Sequence, residues 1–462
     1  MLLLAGCGGG SSSQPAGPGL SGNTQVTLVT SSTANDRFAG YEATINGLSL
    51  VNSEGISVPL INAYWNAEFI HVNGQIEPLL TVSVPQGVYT SATINIFAAS
   101  FTFLDILANG VANTDLVGLQ EVAVPSTISL PQPITITGSS MALNLDLLLP
   151  QSGSYPSRTS ASSYAVTPTF ALSPVSVSQA PDSARDGKLI GLNGILTQAS
   201  SLGFTANLPD SSLPSRIGNQ PVSFLVDSST VYQGIGSASA LTPGLLVNFD
   251  AAIQPDGSLL ATRVASLDIG AQNVMIGQLM LTDTDVQNGT PRLLLNAAEN
   301  LGTYLSTSPP DAGAYYIAGA TSFQTAPGVT GVQSLPFPAS FSEVGTFPGQ
   351  MLAVTFGAPV TMGTTSPPAR TVTLMPQTVD GTVTAITSQG GFTVYTLALD
   401  ESDNIVGLGG PSSVTAYVGP DALLLNSAAP AVGGLLRCTG LIFNDKGTLR
   451  MDCTQVDEGV PF

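Results

Sequence analysis

Short runs in which apolar and polar residues alternate, each cut off by glycine, proline, asparagine or serine, limit this chain to strands. In "MALNLDLLL", Met141, Leu143, Leu145 and Leu147 fall on one face and Ala142, Asn144 and Asp146 on the other, the period-two pattern of a half-buried strand. Similar runs recur at "YEATINGLSLV", "LTVSVP", "YTSATINIF" and "YAVTPTFAL". The 49 Gly and 33 Pro that punctuate them argue against long helices.

At 462 residues the chain calls for about three or four domains. Its longest uninterrupted apolar runs are only a handful of residues, short of the roughly 20 that a membrane helix needs. Only 9% of residues are charged, so Ser, Thr, Asn, Gln and Gly must cover the solvent face. The net charge of −19 and the lack of any basic cluster exclude nucleic acid as a partner.

The first residues concern location. Leu3-Leu4-Ala5-Gly6-Cys7 resembles the lipobox of bacterial lipoproteins, in which small residues precede a cysteine that is lipidated and becomes the N-terminus. Met1 to Leu4 supply neither the basic segment nor the roughly 7–15 apolar residues of a signal peptide. Two readings follow: a coincidental LAGC, or a lipobox whose upstream half is missing because translation starts earlier. The tether-like "GGGSSSQPAGPGLSG" after Cys7 favours the second. The resemblance implies lipidation at Cys7 and a membrane partner through that lipid. Gly8 implies sorting to the bacterial outer membrane, with the protein on the cell surface or in the periplasm.

Residues 1–22 are therefore read as signal remnant, lipobox and tether, and 23–180 as an antiparallel β-sandwich. "VTLVTSSTANDRFAGYEATINGLSLVNSEG", "VPQGVYTSATI", "ALNLDLLLP" and "YAVTPTF", in that order, resemble an uncharacterised N-terminal lipoprotein domain with a transthyretin-like sandwich. That family brings no established activity.

The remainder repeats. "VSFLVDSSTVY" aligns with "VTAYVGPDALL", with "AYYIAGATSFQT" as a looser third copy, and "GLLVNFDAAIQPDGSLLATRV" aligns with "GLLRCTGLIFNDKGTLRMDCT". Each unit opens on a Gly-led strand, at Gly194, Gly277 and Gly381, and the middle unit carries an insertion around "TGVQSLPFPASFSEVGTFPG". The units resemble a small tandem domain of unknown function in bacterial surface and periplasmic proteins. Unit one fits it best, through Asp227, Thr230, Asp256, Gly257 and Ala261. The expected architecture is thus all-β: the sandwich, then three small OB/SH3-like barrels over 181–270, 271–378 and 379–462, closed so that no sheet edge is left bare.

Little chemistry is visible. The one histidine, His71, has no G-x-S-x-G serine to serve and no second His or Cys at a metal spacing, so neither an enzyme nor a metal or cofactor site is expected. "DTDVQNG", with Asp283, Asp285 and Asn288, lacks the Gly and Glu spacing of a calcium loop and reads as a solvated turn, as does "DESDN" at 400–404. Tyr64, Trp65, Phe69 and His71 in "NAYWNAEFIHVNGQ" are the candidate ligand-binding set, since glycans stack on aromatic rings beside amides. The core is the weightier use of a sandwich tryptophan. Pairing Phe443 with Thr448 around Asn444-Asp445-Lys446-Gly447 sets Cys438 opposite Cys453, which in an exported protein implies a disulfide.

These readings converge on a lipid-anchored, non-catalytic envelope protein with a structural or interaction role. The alternative is a surface lipoprotein that binds glycan or polymer through the cluster near Trp65.

Overall fold

The computed structural model describes residues 20–33, 37–106, 112–124, 126–154, 165–175, 187–208, 221–284, 289–302, 312–329, 331–358, 368–425 and 430–459. Its fold is all-β. Two sheets form the N-terminal sandwich. One has the order Glu77–Pro85, Asn23–Ser32, Ser140–Leu147, Thr169–Pro174, Thr127–Ser129; the other runs Ser57–Ile61, Gly40–Asn52, Gly87–Ile106, Ala112–Val124. Between them lies a core that includes Leu28, Tyr41, Phe101, Leu143 and Phe170.

The first sheet is mixed, not antiparallel as expected. Asn23–Ser32 pairs parallel with Ser140–Leu147, and Thr127–Ser129 parallel with Thr169–Pro174. Alternation reports which face a residue takes, not which way its neighbour runs, and parallel pairing needs only a long enough crossover. The two central strands are buried on both faces, because Val29 and Ala142 point away from the sandwich into the core of the first barrel. The polar residues on that outer face bond to one another, Ser31 Oγ donating to Asp146 at 2.7 Å and accepting from Asn144 Nδ2 at 2.9 Å, as burial requires.

Three barrel units follow, the first a six-stranded sheet and the other two closed five-stranded barrels. The second comprises Asn273–Thr284, Pro291–Gly302, Ala312–Thr325, Met351–Phe356 and Ala369–Leu374; the third, Gln377–Gln389, Phe392–Ala398, Ser413–Leu424, Leu435–Asp445 and Thr448–Glu458. Both close in the order first, second, third, fifth, fourth, with the third and fifth strands parallel. This Greek-key closure is of the OB type. The first barrel has the same order through Lys188–Ser200, Gly203–Asn207, Val222–Leu225, Leu259–Ser266 and Leu246–Ile253, closes at the single pair Leu225↔Leu260, and adds a sixth strand, Val231–Gln233, parallel to Leu259–Ser266. The insertion of the middle unit joins the second and third barrels. Phe337 packs on Tyr417 and Phe443, with centroids 4.9 and 5.9 Å away, and Phe347 enters the core of the third barrel.

The expected cysteine register is corrected. Asp445 pairs with Thr448 around a two-residue turn, Lys446-Gly447, in which both residues have positive φ (54° and 89°), the signature of a type I′ hairpin. A bulge then shifts the ladder between Thr439 and Gly440, so that Cys453 faces Gly440 and Cys438 faces Val456. A Cβ on Gly440 would lie 1.8 Å from the carbonyl oxygen of Asp452, so the kink requires glycine there. The two cysteines are buried and no disulfide joins them.

Candidate functional site

The sandwich strand Trp65–Glu68 ends on a buried carboxylate that holds the segment after it. Glu68 Oε1 accepts from the backbone amides of Tyr41 (2.9 Å) and Ile70 (2.8 Å), and Oε2 accepts from the amide of His71 at 2.8 Å and lies 3.1 Å from its Nδ1. The other ring nitrogen of His71, Nε2, lies 3.4 Å from Glu77. Burial opposes protonation of His71, but the hydrogen bonds and charges of Glu68 and Glu77 prevail and hold its pKa well above 6.5. The segment also reaches the third barrel, where Arg437 donates to Asn73.

Opposite stands a wall from the first and second barrels. Glu299 accepts from Asn193 at 3.1 Å; Asn248 donates to Asn193 at 2.9 Å; Arg263 donates to Asn248 at 2.7 Å and forks onto Asp250 at 2.6 and 2.9 Å. The guanidinium lies against Gly328, where a Cβ would come within 2.4 Å of Cζ. Burial, with the nearby Glu77 and Glu68, pushes the Glu299 carboxyl up to about 7, although the charge of His71 and the bond from Asn193 pull the other way.

The third barrel supplies the remaining side. Asp380 and Arg437 form a buried ion pair at 3.4 Å that is not itself part of the cavity lining. Asp452 is 6% exposed, its Oδ2 has no hydrogen-bond partner, and burial raises its pKa to about 6. Together these surfaces enclose a cavity of about 600 Å³ to which the sandwich and all three barrels contribute, within the range of small-molecule sites.

Of the aromatic set read from the sequence, only His71 lines this cavity. Trp65 and Phe69 pack edge to face in the sandwich core, centroids 6.0 Å apart. Tyr64 is 47% exposed and meets the exposed Phe97 edge-on. Asp283 pairs with Arg292 across its hairpin, while Asp285 and Asn288 lie outside the described residues. Asp403 of "DESDN" caps the short helix Asn404–Gly407 by accepting from Ile405 N at 2.6 Å. Cys7 also lies outside the described residues. Among the described residues no group of three or more His, Cys, Asp or Glu is arranged to hold a metal ion. Sequence reading missed Asn193, Asn248, Glu299 and Asp452; Asn248 and Asp452 alternate with the core residues Phe249 and Met451, so each occupies the face where a polar side chain is ordinary and gives no local signal.

Residues 217–265 match the Domain of unknown function (DUF5666). The match falls in the first barrel, the unit whose residues fit the tandem pattern best, and includes Asn248, Asp250 and Arg263 of the cavity wall. No curated protein matches the chain. Solved structures similar to parts of it include drosophila Unr CSD456, at 12% identity over 58% of this chain and 97% of that one with a TM-score of 0.14. Another is the wild-type single-stranded DNA binding protein from Thermus aquaticus, at 13% identity over 42% and 94% with a TM-score of 0.15. Superposition at that level bears on neither fold nor function.

Proposed function

We propose that this chain is a lipid-anchored, non-catalytic protein of the bacterial cell envelope, and that its sandwich and three barrels form one scaffold for holding a small polar ligand in the central cavity. The observation that carries the binding role is the cavity itself. The sandwich and all three barrels contribute residues to the lining of one space, and Asp452 is buried there with an oxygen unmatched. A scaffold built only for rigidity gains nothing from such a group, because an unsatisfied buried acceptor costs about 1–3 kcal/mol.

The anchor rests on Leu3–Cys7 and the polar stretch behind it, which also support the outer-membrane or surface assignment and the lipoprotein reading of the sandwich. A non-catalytic role fits a histidine whose two ring nitrogens are both taken by carboxylates. Processing that stops with globomycin, and release of the Cys7→Ser chain from membranes, are the expected results for the anchor.

For the cavity, thermal-shift screening of the soluble Cys7→Ser chain against envelope-derived small molecules is the direct test. A true cavity ligand loses its effect in Ser334→Trp, where an exposed residue on the cavity lining is enlarged. Ligands indifferent to that change would refute the site. The exposed pair Tyr64 and Phe97 favours a second reading, a glycan platform on the sandwich. Selective oligosaccharide binding lost in Tyr64→Ala and untouched by Ser334→Trp would establish it over the cavity.

A further inference from the structure

Taken with the binding reading above, the geometry points to a specific occupant: a linear organic cation with at least two amines, one meeting Glu299 and another Asp452. The charges lining the cavity are not balanced. Arg263 is matched by Asp250, and His71 lies between Glu68 and Glu77. Glu299 and Asp452, 9% and 6% exposed, have no Lys or Arg partner among the described residues. A carboxylate accepts hydrogen bonds only, and an ammonium offers three donors and a charge, so an amine satisfies each group where a neutral hydroxyl satisfies it in part.

Two amines are inferred because the carboxylates are separate. Glu299 stands on the second barrel among the charges of His71, Glu77 and Glu68, whereas Asp452 stands on the third barrel and feels burial alone. The cavity lining also includes Ile70, Ile276, Met351 and Met375, surfaces suited to methylene groups. The net charge of −19 raises the local concentration of any cation. A bare metal ion does not fit, since no cluster of three ligating side chains occurs among the described residues.

Spermidine is the probe, titrated calorimetrically into the full Cys7→Ser chain at about 150 mM NaCl to screen surface charge. Saturable binding is expected, weakened about tenfold or more in Asp452→Asn and in Glu299→Gln. Glu343→Gln removes the same charge from an exposed turn and leaves binding unchanged. Circular dichroism of each variant confirms folding. Equal weakening in all three variants would reduce spermidine to a surface counter-ion and overturn the proposal. No spermidine binding, with a neutral oligosaccharide bound in a manner sensitive to Ser334→Trp, would overturn the cation assignment and leave the cavity reading standing. Silence from every probe would remove both.

Discussion

Replacing Glu299 by glutamine should make the protein more stable at neutral pH. In the folded state the carboxyl titrates at about 7 against an ordinary 4.5, chiefly because it is buried. Below pH 4.5 both states hold the proton and nothing is lost. Between 4.5 and about 7 the unfolded chain has released it while the folded chain retains it, so stability falls as pH rises. Above 7 the loss is complete. At about 1.4 kcal/mol per pH unit the gap amounts to about 3 kcal/mol, a large share of a typical domain's stability. Glutamine keeps the volume, accepts the bond from Asn193 and never ionises. Urea unfolding followed by far-ultraviolet circular dichroism at pH 4, 6 and 8 reads the difference: Glu299→Gln and the parent coincide at pH 4, and the variant is ahead by about 3 kcal/mol at pH 8. Parallel curves across that range would show that Glu299 is solvated and would refute its burial in the cavity wall. His71 and Asp452, both raised, contribute with the same sign, so the parent protein is itself steadier at pH 5 than at pH 8.

Three further outcomes follow from the packing. Phe249→Ala removes the ring that Phe204 and Phe224 enclose at 5.3 and 4.8 Å, and should destabilise the first barrel by about 3–5 kcal/mol in chemical denaturation. Arg437→Met leaves Asp380 enclosed without its cation and should cost about 3–5 kcal/mol, while replacing both residues by apolar ones of similar volume restores most of it. Cys438 and Cys453, 0% and 1% exposed, should take up maleimide only after denaturant is added; rapid labelling of the native protein would contradict the burial.

The fold was legible because its units are local. Alternating faces in "MALNLDLLL" report backbone geometry within a few residues, whereas the glycines expected to open each unit, Gly194, Gly277 and Gly381, lie inside the strands Lys188–Ser200, Asn273–Thr284 and Gln377–Gln389. At Gly381 a Cβ would stand 2.9 Å from Ala398 O and Leu397 Cβ, so glycine is needed there, inside the strand and not at its start. What failed depends on partners distant in sequence. Direction of pairing between Asn23–Ser32 and Ser140–Leu147 leaves no trace in either strand. The cysteine register moved because Lys446 adopts a left-handed φ, which shortened the turn, and a bulge followed. The cavity escaped notice for the same reason: Asn193, Glu299 and Asp452 come from three barrels, each resembling an isolated polar residue in an apolar strand. His71 stood out only by being the one histidine, and its neighbours Trp65 and Phe69 suggested stacking where the structure places an ion cluster.

The parallel pairing of the first strand has a mechanical meaning. Tension entering the fold at residue 23, as from a tether fixed to a membrane, pulls Asn23–Ser32 along its own axis. Ser140–Leu147 holds it over eight residue pairs on one side, and Glu77–Pro85 holds it on the other. Those hydrogen bonds lie across the direction of pull, and the chain leaves Ser140–Leu147 at the far end. The ladder is therefore loaded in shear, and its bonds must break together instead of unzipping singly. Single-molecule pulling between residue 23 and the C-terminus should find the sandwich yielding abruptly at high force, which would let the barrels and their cavity ride unperturbed on a strained anchor.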